Sequence, residues 1–339
     1  MSLNPLPLTL AIGRYDHARD LTDGIVPVEG VALRVLDLPI EEIFYRFVFN
    51  REWDISEMSM GKYVALRAAG DTSITAIPVF VSRMFRHSMF YVREGGPVKR
   101  PEDLRGKRIG VPEWAQTAGL YGRGWLAETV GVPLDTIEWV QAGVNQPGRV
   151  EKVKLSLPAG IRYRNIADRS LDAMLTAGEI DAVMSARPPR SLGRGIARLI
   201  PDYQAAEEQY FRATGIYPIM HGVVLRTAVL DAHPWVAMNL LAAFDAAKRN
   251  ALERLAEVTA SHVPFAWTSE YAQRMQALFG EDYFPYGCSP SAGAGNAGER
   301  LNWTTLDAFL RFGHDQGVCA RRLAPEELFP RAVLSAVKV

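Results

Sequence analysis

The stretch PVFVSRMFRHSMFYVREGG, Pro78 to Gly96, carries Arg83, Arg86, His87 and Arg93 and has no acidic residue before Glu94. With apolar residues on every side of these cations, either the fold returns acids from elsewhere or the missing carboxylates belong to a ligand. A guanidinium fork can take a carboxylate through two parallel hydrogen bonds, which makes Arg83 and Arg86 candidate anion anchors. The competing reading pairs them with acids of the same chain or lets them snorkel to water. Histidine suits acid–base work because both protonation states are accessible near neutrality. The candidates are His87, His221 in PIMH, and Asp16 with His17 in RYDH, where Arg14 adds a further cation. Each stands against the commoner fate of a lone histidine, a core ring satisfied by backbone. RYDH follows a first strand, and ligands of open α/β sheets bind beyond the carboxyl ends of strands, which favours Asp16 and His17. Glu57 and Ser59 in SEMS also close a strand-like segment. Glu57 there can accept a ligand hydrogen bond or orient a histidine, or it can simply start a helix where the macrodipole favours an acid. Thr117 leads into a helix, as an N-cap or beside amides that could hold an anion. Arg187 in SARPPRS either closes a cleft or is a solvated loop arginine.

At 339 residues the chain suits about two domains, each large enough to bury a core. Its 38 basic and 38 acidic residues cancel, so no global field draws in nucleic acid or an anionic membrane. Two cysteines, Cys288 and Cys319, make neither a disulfide framework nor a metal-ligand pattern. The N-terminal residues lack the basic start and unbroken apolar run of a secretory signal, which predicts a cytoplasmic protein. No segment approaches the ~18 apolar residues of a membrane span. The chain offers no signal that fixes its oligomeric state, a homo-oligomer included.

Short apolar runs alternate with helical ones, an α/β pattern. Strands are expected at Leu8–Gly13, Val31–Leu38, Trp53–Ser56 running into a loop, within SITAIPVFVS and SMFYVR, and at Arg108–Pro112. IEEIFYRFVFN and TAGLYGRGWLAETVGV read as helices. The segment from His233 to Val258 is the strongest helix, with Trp235, Met238, Leu241, Phe244 and Leu252 expected on its buried face. Cys288–Gly298 is a small-residue loop. GRGWL is no dinucleotide fingerprint, and neither a nucleophile elbow nor HExxH is present.

The order of PEDLRGKRIGVPEWAQTA, GEIDAVMSA and TGIYPIMHGVVLR resembles the type II periplasmic-binding-protein fold. That resemblance implies an α/β, two-domain architecture with a cleft between the domains. The expected division is a discontinuous first domain, 1–110 and 220–339, with 111–219 inserted. GRYDHARDLTDGIVPVEGV, WDISEMSMGKYVAL, ITAIPVFVSRMFRHSMFYVR, TGIYPIMHGVVLR and EELFPRAV together resemble the 4,5-dihydroxyphthalate decarboxylase family, from about Leu8 to Phe329. GCSPSAGAGNAGERLNW departs from that family by its length.

This second resemblance implies a carboxy-lyase that removes one carboxylate from a small hydroxylated aromatic diacid, giving a protocatechuate-like product and CO2. It implies no organic cofactor, and no metal motif stands out. Losing CO2 from an arene without forming an aryl anion needs a base at the phenol para to the leaving group, an acid at the ring carbon, and cations for the diacid. General acid–base help of this kind is typically worth ~10²–10⁴-fold. The roles that follow are proton transfer by His17, His221, Asp16 and Glu57. Diacid binding falls to Arg14, Ser59, Arg83, Arg86, His87, Thr117 and Arg187. The alternative is a non-catalytic cytoplasmic or periplasmic solute-binding protein for an aromatic or dicarboxylic acid, since fold alone does not fix function.

Overall fold

A computed structural model describes residues 4–291 and 297–334, so Ala292–Asn296 of the small-residue loop lie outside the described residues. In chain order the strands are β1 (Leu6–Ala11), β2 (Val31–Leu36), β3 (Ile55–Ser59), β4 (Ile74–Arg83), β5 (Phe90–Arg93) and β6 (Arg108–Val111). They continue with β7 (Glu138–Gly143), β8 (Arg162–Ser170), β9 (Ala182–Met184), β10 (Ile196–Arg198) and β11 (Ile219–Arg226). The helices are α1 (Arg19–Thr22), α2 (Ile40–Asn50), α3 (Met60–Ala68), α4 (Thr117–Glu128) and α5 (Leu171–Ala177). After them come α6 (Tyr203–Thr214), α7 (Thr227–Ala232), α8 (Val236–Ala256), α9 (Thr268–Phe279) and α10 (Ala297–Asp315).

The strands form two sheets, β2-β1-β3-β11-β4 and β10-β5-β9-β6-β7-β8. In the first, β1 runs parallel to β2 and β3, while β11 is antiparallel to both β3 and β4. The chain changes sheets between Arg83 and Phe90, because β5 pairs with β9 and β10. The expected division at 110/111 therefore falls inside the second unit, which already holds β5 and β6. The alternation around Arg108–Pro112 marks a strand well, but nothing local to it reveals that its neighbours are β7 and β9. The first strand to rejoin the first sheet is β11.

Helix α2 shows how local sequence builds the cleft rim. Pro39 precedes it, Glu41 and Glu42 sit in its first turn, and Ile43 and Phe47 face the core. On α8 the buried face is Leu240, Ala243, Phe244, Ala247 and Ala251, whereas Trp235 and Met238 are exposed. Large residues drew the expected face to one side, but the alanines permit the closest approach, and burial follows them.

One apolar core runs through both units. It joins Ile55, Val79 and Val223 of the first sheet to Trp114, Leu120, Trp139 and Met184 of the second unit, with Phe309 and Phe312 of α10 between. A smaller cluster, including Val140, Leu171, Leu175 and Val183, fills the opposite side of the second sheet. Tyr121 of α4 stacks on Phe309 at 4.8 Å between centroids.

A buried charge network also spans the units. Lys62 of α3, itself 5% exposed, reaches Glu113 and Glu151 at 2.7 Å each. Arg149 and Lys152 complete the set at 2.5 and 2.9 Å from Glu113. Burial alone would raise the Glu113 carboxyl, but Lys62, Arg149 and Lys152 outweigh it and hold the group at about 2. A carboxyl depressed in the folded state contributes stability above its unfolded value of 4.5 and loses that contribution as pH falls toward 2. Glu113→Gln is expected to cost about 3 kcal/mol at neutral pH, since it leaves buried cations underpaired. Its stability should also fall less than the native protein's between those two pH values. Chemical denaturation across that range checks both, and a parallel pH dependence in the two proteins would remove Glu113 from the account.

Candidate active site

The first sheet brings a carboxylate, a histidine and a tyrosine together at its carboxyl end. Glu57 and Ser59 project from one face of β3, and the register sets His221 of β11 opposite Ser59, with Ser82 of β4 on its other side. Glu57 lies diagonal to His221, within reach of a long side chain. Glu57 Oε1 accepts from His221 Nδ1 at 2.7 Å and from the Tyr15 hydroxyl at 2.5 Å, and Oε2 accepts from the Gly13 N–H at 2.9 Å. Glu57 is 0% exposed. Three donors converge on it, and they offset the desolvation that a buried carboxylate otherwise costs.

That carboxylate fixes the tautomer of its neighbour. Nδ1 of His221 must carry the hydrogen, which leaves Nε2 as the basic nitrogen of a ring whose side chain is 21% exposed. Phe44 of α2 meets this ring edge-on at 4.9 Å, and Ile40 of the same helix packs beside Gly13. Burial, followed by the Glu57 carboxylate, pushes the Tyr15 phenol far up, so Tyr15 stays a neutral donor.

His17 lies beside the cluster, its ring 5.3 Å from Tyr15 and 4.6 Å from Phe284. Its Nε2 is 3.0 Å from the Val81 carbonyl, which can only accept, so Nε2 bears the hydrogen. Burial lowers its pKa and keeps it neutral. Asp16 departs from the expected role. The turn at 16–18 swings its carboxylate outward to Arg19 at 3.0 Å, and the acid that serves the histidine is Glu57. Arg14 is exposed and paired with Asp37 on the rim of a cavity of about 600 Å3 that Tyr15 and Asp16 also line.

Ser59 and Thr117 are joined to each other. Their hydroxyls are 2.9 Å apart, and Thr117 Oγ1 also accepts the Gly61 N–H at 2.9 Å. Thr117 is the first residue of α4 and Gln116 its cap position, so its hydroxyl fastens two units and is not presented to an anion. A Cβ at Gly61 would sit 2.5 Å from the Ala115 carbonyl, and only glycine permits that approach.

The second unit supplies the opposite wall. A cavity of about 520 Å3 opens beside Gln116, bounded by Asn145, Ser185 and the arginines 149, 187 and 190. Arg187, expected to bind ligand, lies here and reaches Glu41 of α2 at 3.1 Å. Among the described residues no ion pair involves Arg190. No group of three His, Cys, Asp or Glu among the described residues is arranged to hold a metal ion.

Two expected anchors lie elsewhere. Arg83 is 7% exposed and donates to the carbonyls of Tyr217 and Pro285 at 3.1 and 2.9 Å and to Asn302 Oδ1. Aromatic faces of Phe80, Tyr217 and Phe284 surround its guanidinium, and burial lowers its pKa to about 10. Its acceptors are neutral, so neither expected answer, an acid of the fold or a ligand carboxylate, applies to it. Arg86 is half-buried, with Nε 3.3 Å from Met220 Sδ, and burial lowers its pKa. His87 sits between Trp125 and Tyr210 with neither ring nitrogen hydrogen-bonded among the described residues. Burial brings its pKa to about 4. Ring Nδ1 lies 3.7 Å from Glu207 Oε1, too far for a hydrogen bond, while the backbone N–H of His87 donates to that oxygen at 3.0 Å. Both belong to the crossing between sheets.

No family model matches the chain. Over 341 residues it is 36% identical to the 4,5-dihydroxyphthalate decarboxylase of Comamonas testosteroni, covering 99% of this chain and 100% of that protein. Over 215 residues it is 38% identical to the protein of the same name from Pseudomonas putida, covering 62% of this chain and 83% of the other. Among solved structures it is similar to the periplasmic aliphatic sulphonate binding protein SsuA of Escherichia coli. That match has a TM-score of 0.52 at 11% identity and covers 97% of this chain and 99% of that one. SsuA of Xanthomonas axonopodis pv. citri gives 0.50 at 12% identity over 97% and 99% of the two chains. These likenesses establish a two-domain binding-protein fold.

Arg83→Ala is expected to cost about 3 kcal/mol of stability by orphaning buried acceptors. The folded variant should bind an aromatic diacid as the native protein does. Denaturation paired with calorimetric titration checks this, and weakened binding at native stability would return Arg83 to the ligand.

Proposed function

The chain belongs to the 4,5-dihydroxyphthalate decarboxylase family, and from that premise we propose that it exchanges one carboxylate of 4,5-dihydroxyphthalate for hydrogen, with the Tyr15–Glu57–His221 cluster handling the proton. It is a carboxy-lyase on a binding-protein fold. The observation that carries the chemical assignment is the buried Glu57 carboxylate holding His221 Nδ1 at 2.7 Å.

The substrate's carboxylates and hydroxyls lie at opposite ends of its ring. The arginine wall suits the first and His221 the second. Nε2 of His221 accepts the proton of the phenol para to the departing carboxylate, and Glu57 stabilises the imidazolium that forms. The phenolate's charge spreads to the ring carbon bearing the leaving group, which takes a proton from water in the cleft. The C–C bond then breaks, its electron pair restores the aromatic ring, and CO2 departs. The imidazolium returns its proton to the phenolate, so one carboxylate is replaced by hydrogen with one proton drawn from solvent. Tight binding of the departing carboxylate would stabilise the ground state and slow the reaction. Arg187 and its neighbours are therefore assigned to the carboxylate that is retained.

Purified protein is expected to release CO2 from 4,5-dihydroxyphthalate. His221→Ala and Glu57→Gln should each lower kcat by about 10²–10⁴-fold with much smaller changes in KM. Absence of CO2 in the native protein would overturn the function, and native kcat in both variants would overturn the roles of His221 and Glu57.

A further inference from the structure

Resting on the decarboxylase reading, we propose that the carboxylate of Glu41 occupies the seat of the substrate's retained carboxylate and is displaced by it, so that residue 41 sets the affinity for carboxylate ligands. Glu41 belongs to the first turn of α2, on the first unit, and both of its oxygens turn across to the second. Oε1 lies 3.1 Å from Arg187 Nη2, and Oε2 lies 3.6 Å from Arg149 Nη1. Arg149 is otherwise committed to the buried Glu113 through Nε and Nη2, at 2.6 and 2.5 Å, which leaves Nη1 for the cavity.

Charge bookkeeping favours displacement. Three guanidinium groups border the cavity, and the acids beneath it, Glu113 and Glu151, are shared with Lys62 and Lys152, so Glu41 leaves the wall short of negative charge. A dianionic ligand would supply it. The pairing is also weak. Arg187 is 68% exposed and Glu41 53%, and exposed ion pairs are worth little because solvent screens them. By contrast the Lys62–Glu113 pair beneath is buried and not exchangeable. The cavity of about 520 Å3 has room for a single aromatic ring. Phe44, one turn beyond Glu41 on α2, touches the His221 ring, so the same helix borders this cavity and the proton-transfer cluster.

The test compares phthalate, which has the two carboxylates and no hydroxyls, with catechol, which has the hydroxyls and no carboxylates. Glu41→Gln removes the charge and keeps the shape at an exposed position. By titration calorimetry it is expected to tighten phthalate binding about two- to fivefold, the fold-change that corresponds to an exposed ion pair. Catechol binding should not change. In an Arg187→Ala background, where phthalate binds more weakly, most of the gain from Glu41→Gln should vanish. Unchanged or undetectable phthalate binding in Glu41→Gln, or an equal change for catechol, would overturn the proposal. If that happens while CO2 release from 4,5-dihydroxyphthalate persists, the displaced carboxylate alone is wrong. If phthalate tightens as expected but no CO2 is released, the decarboxylase reading falls and the carboxylate seat stands.

Discussion

A carboxylate with no access to water must be supplied with donors, and at Glu57 that requirement organises the floor of the cleft. Its partners come from the turn after β1 and from β11, strands far apart in sequence that flank β3 on its two sides in the sheet. The parallel β1–β3 pairing places Gly13 and Tyr15 over the end of β3, and the antiparallel β3–β11 pairing brings His221 to the same point. A shift of β11 by one residue would turn His221 to the other face, so the pairing register and the chemistry are one constraint.

The arginines of this chain show how one residue type is put to opposite uses. Arg83 lies where the chain passes between sheets, and its bond to the Tyr217 carbonyl joins the outgoing segment to the returning one. The Met84 N–H to Pro218 carbonyl bond does the same one residue on. Ringed by aromatic faces, its charge is spread over neutral acceptors. Arg149 is divided between a buried carboxylate and the cleft, and Arg187 faces the cleft alone. What separates them is the depth at which the fold leaves each fork.

That distinction explains what the sequence could reveal. Strand ends and their polar residues were legible, because alternation and turn chemistry are local, and Glu57 and His221 became candidates on that basis. Tyr15 was not, since a tyrosine beside a histidine carries no mark of the carboxylate it will meet 42 residues away. Asp16 drew attention in its place because RYDH follows a strand end. Arg83 was misread because its partners lie 134, 202 and 219 residues along the chain and are carbonyls and an amide, which no charge pattern announces. Glu41 had no signal beyond a helix start, and its arginines belong to the other unit. The second unit's beginning was also hidden, because β9 and β10, the partners of β5, come much later in the chain.

The unbroken apolar core has a further consequence for how a ligand meets this protein. Two lobes joined only by linkers would have to freeze a relative orientation on binding and would lose affinity to that ordering. Here Phe309 and Phe312 are wedged between the lobes, and the ring of Phe312 lies so close to Gly124 that a Cβ there would fall 2.7 Å from it. Swinging the lobes apart would wet those rings. The cleft is thus a preorganised socket, its entropy already spent in folding, with His221 and the arginines beside Gln116 held at fixed separation before any ligand arrives.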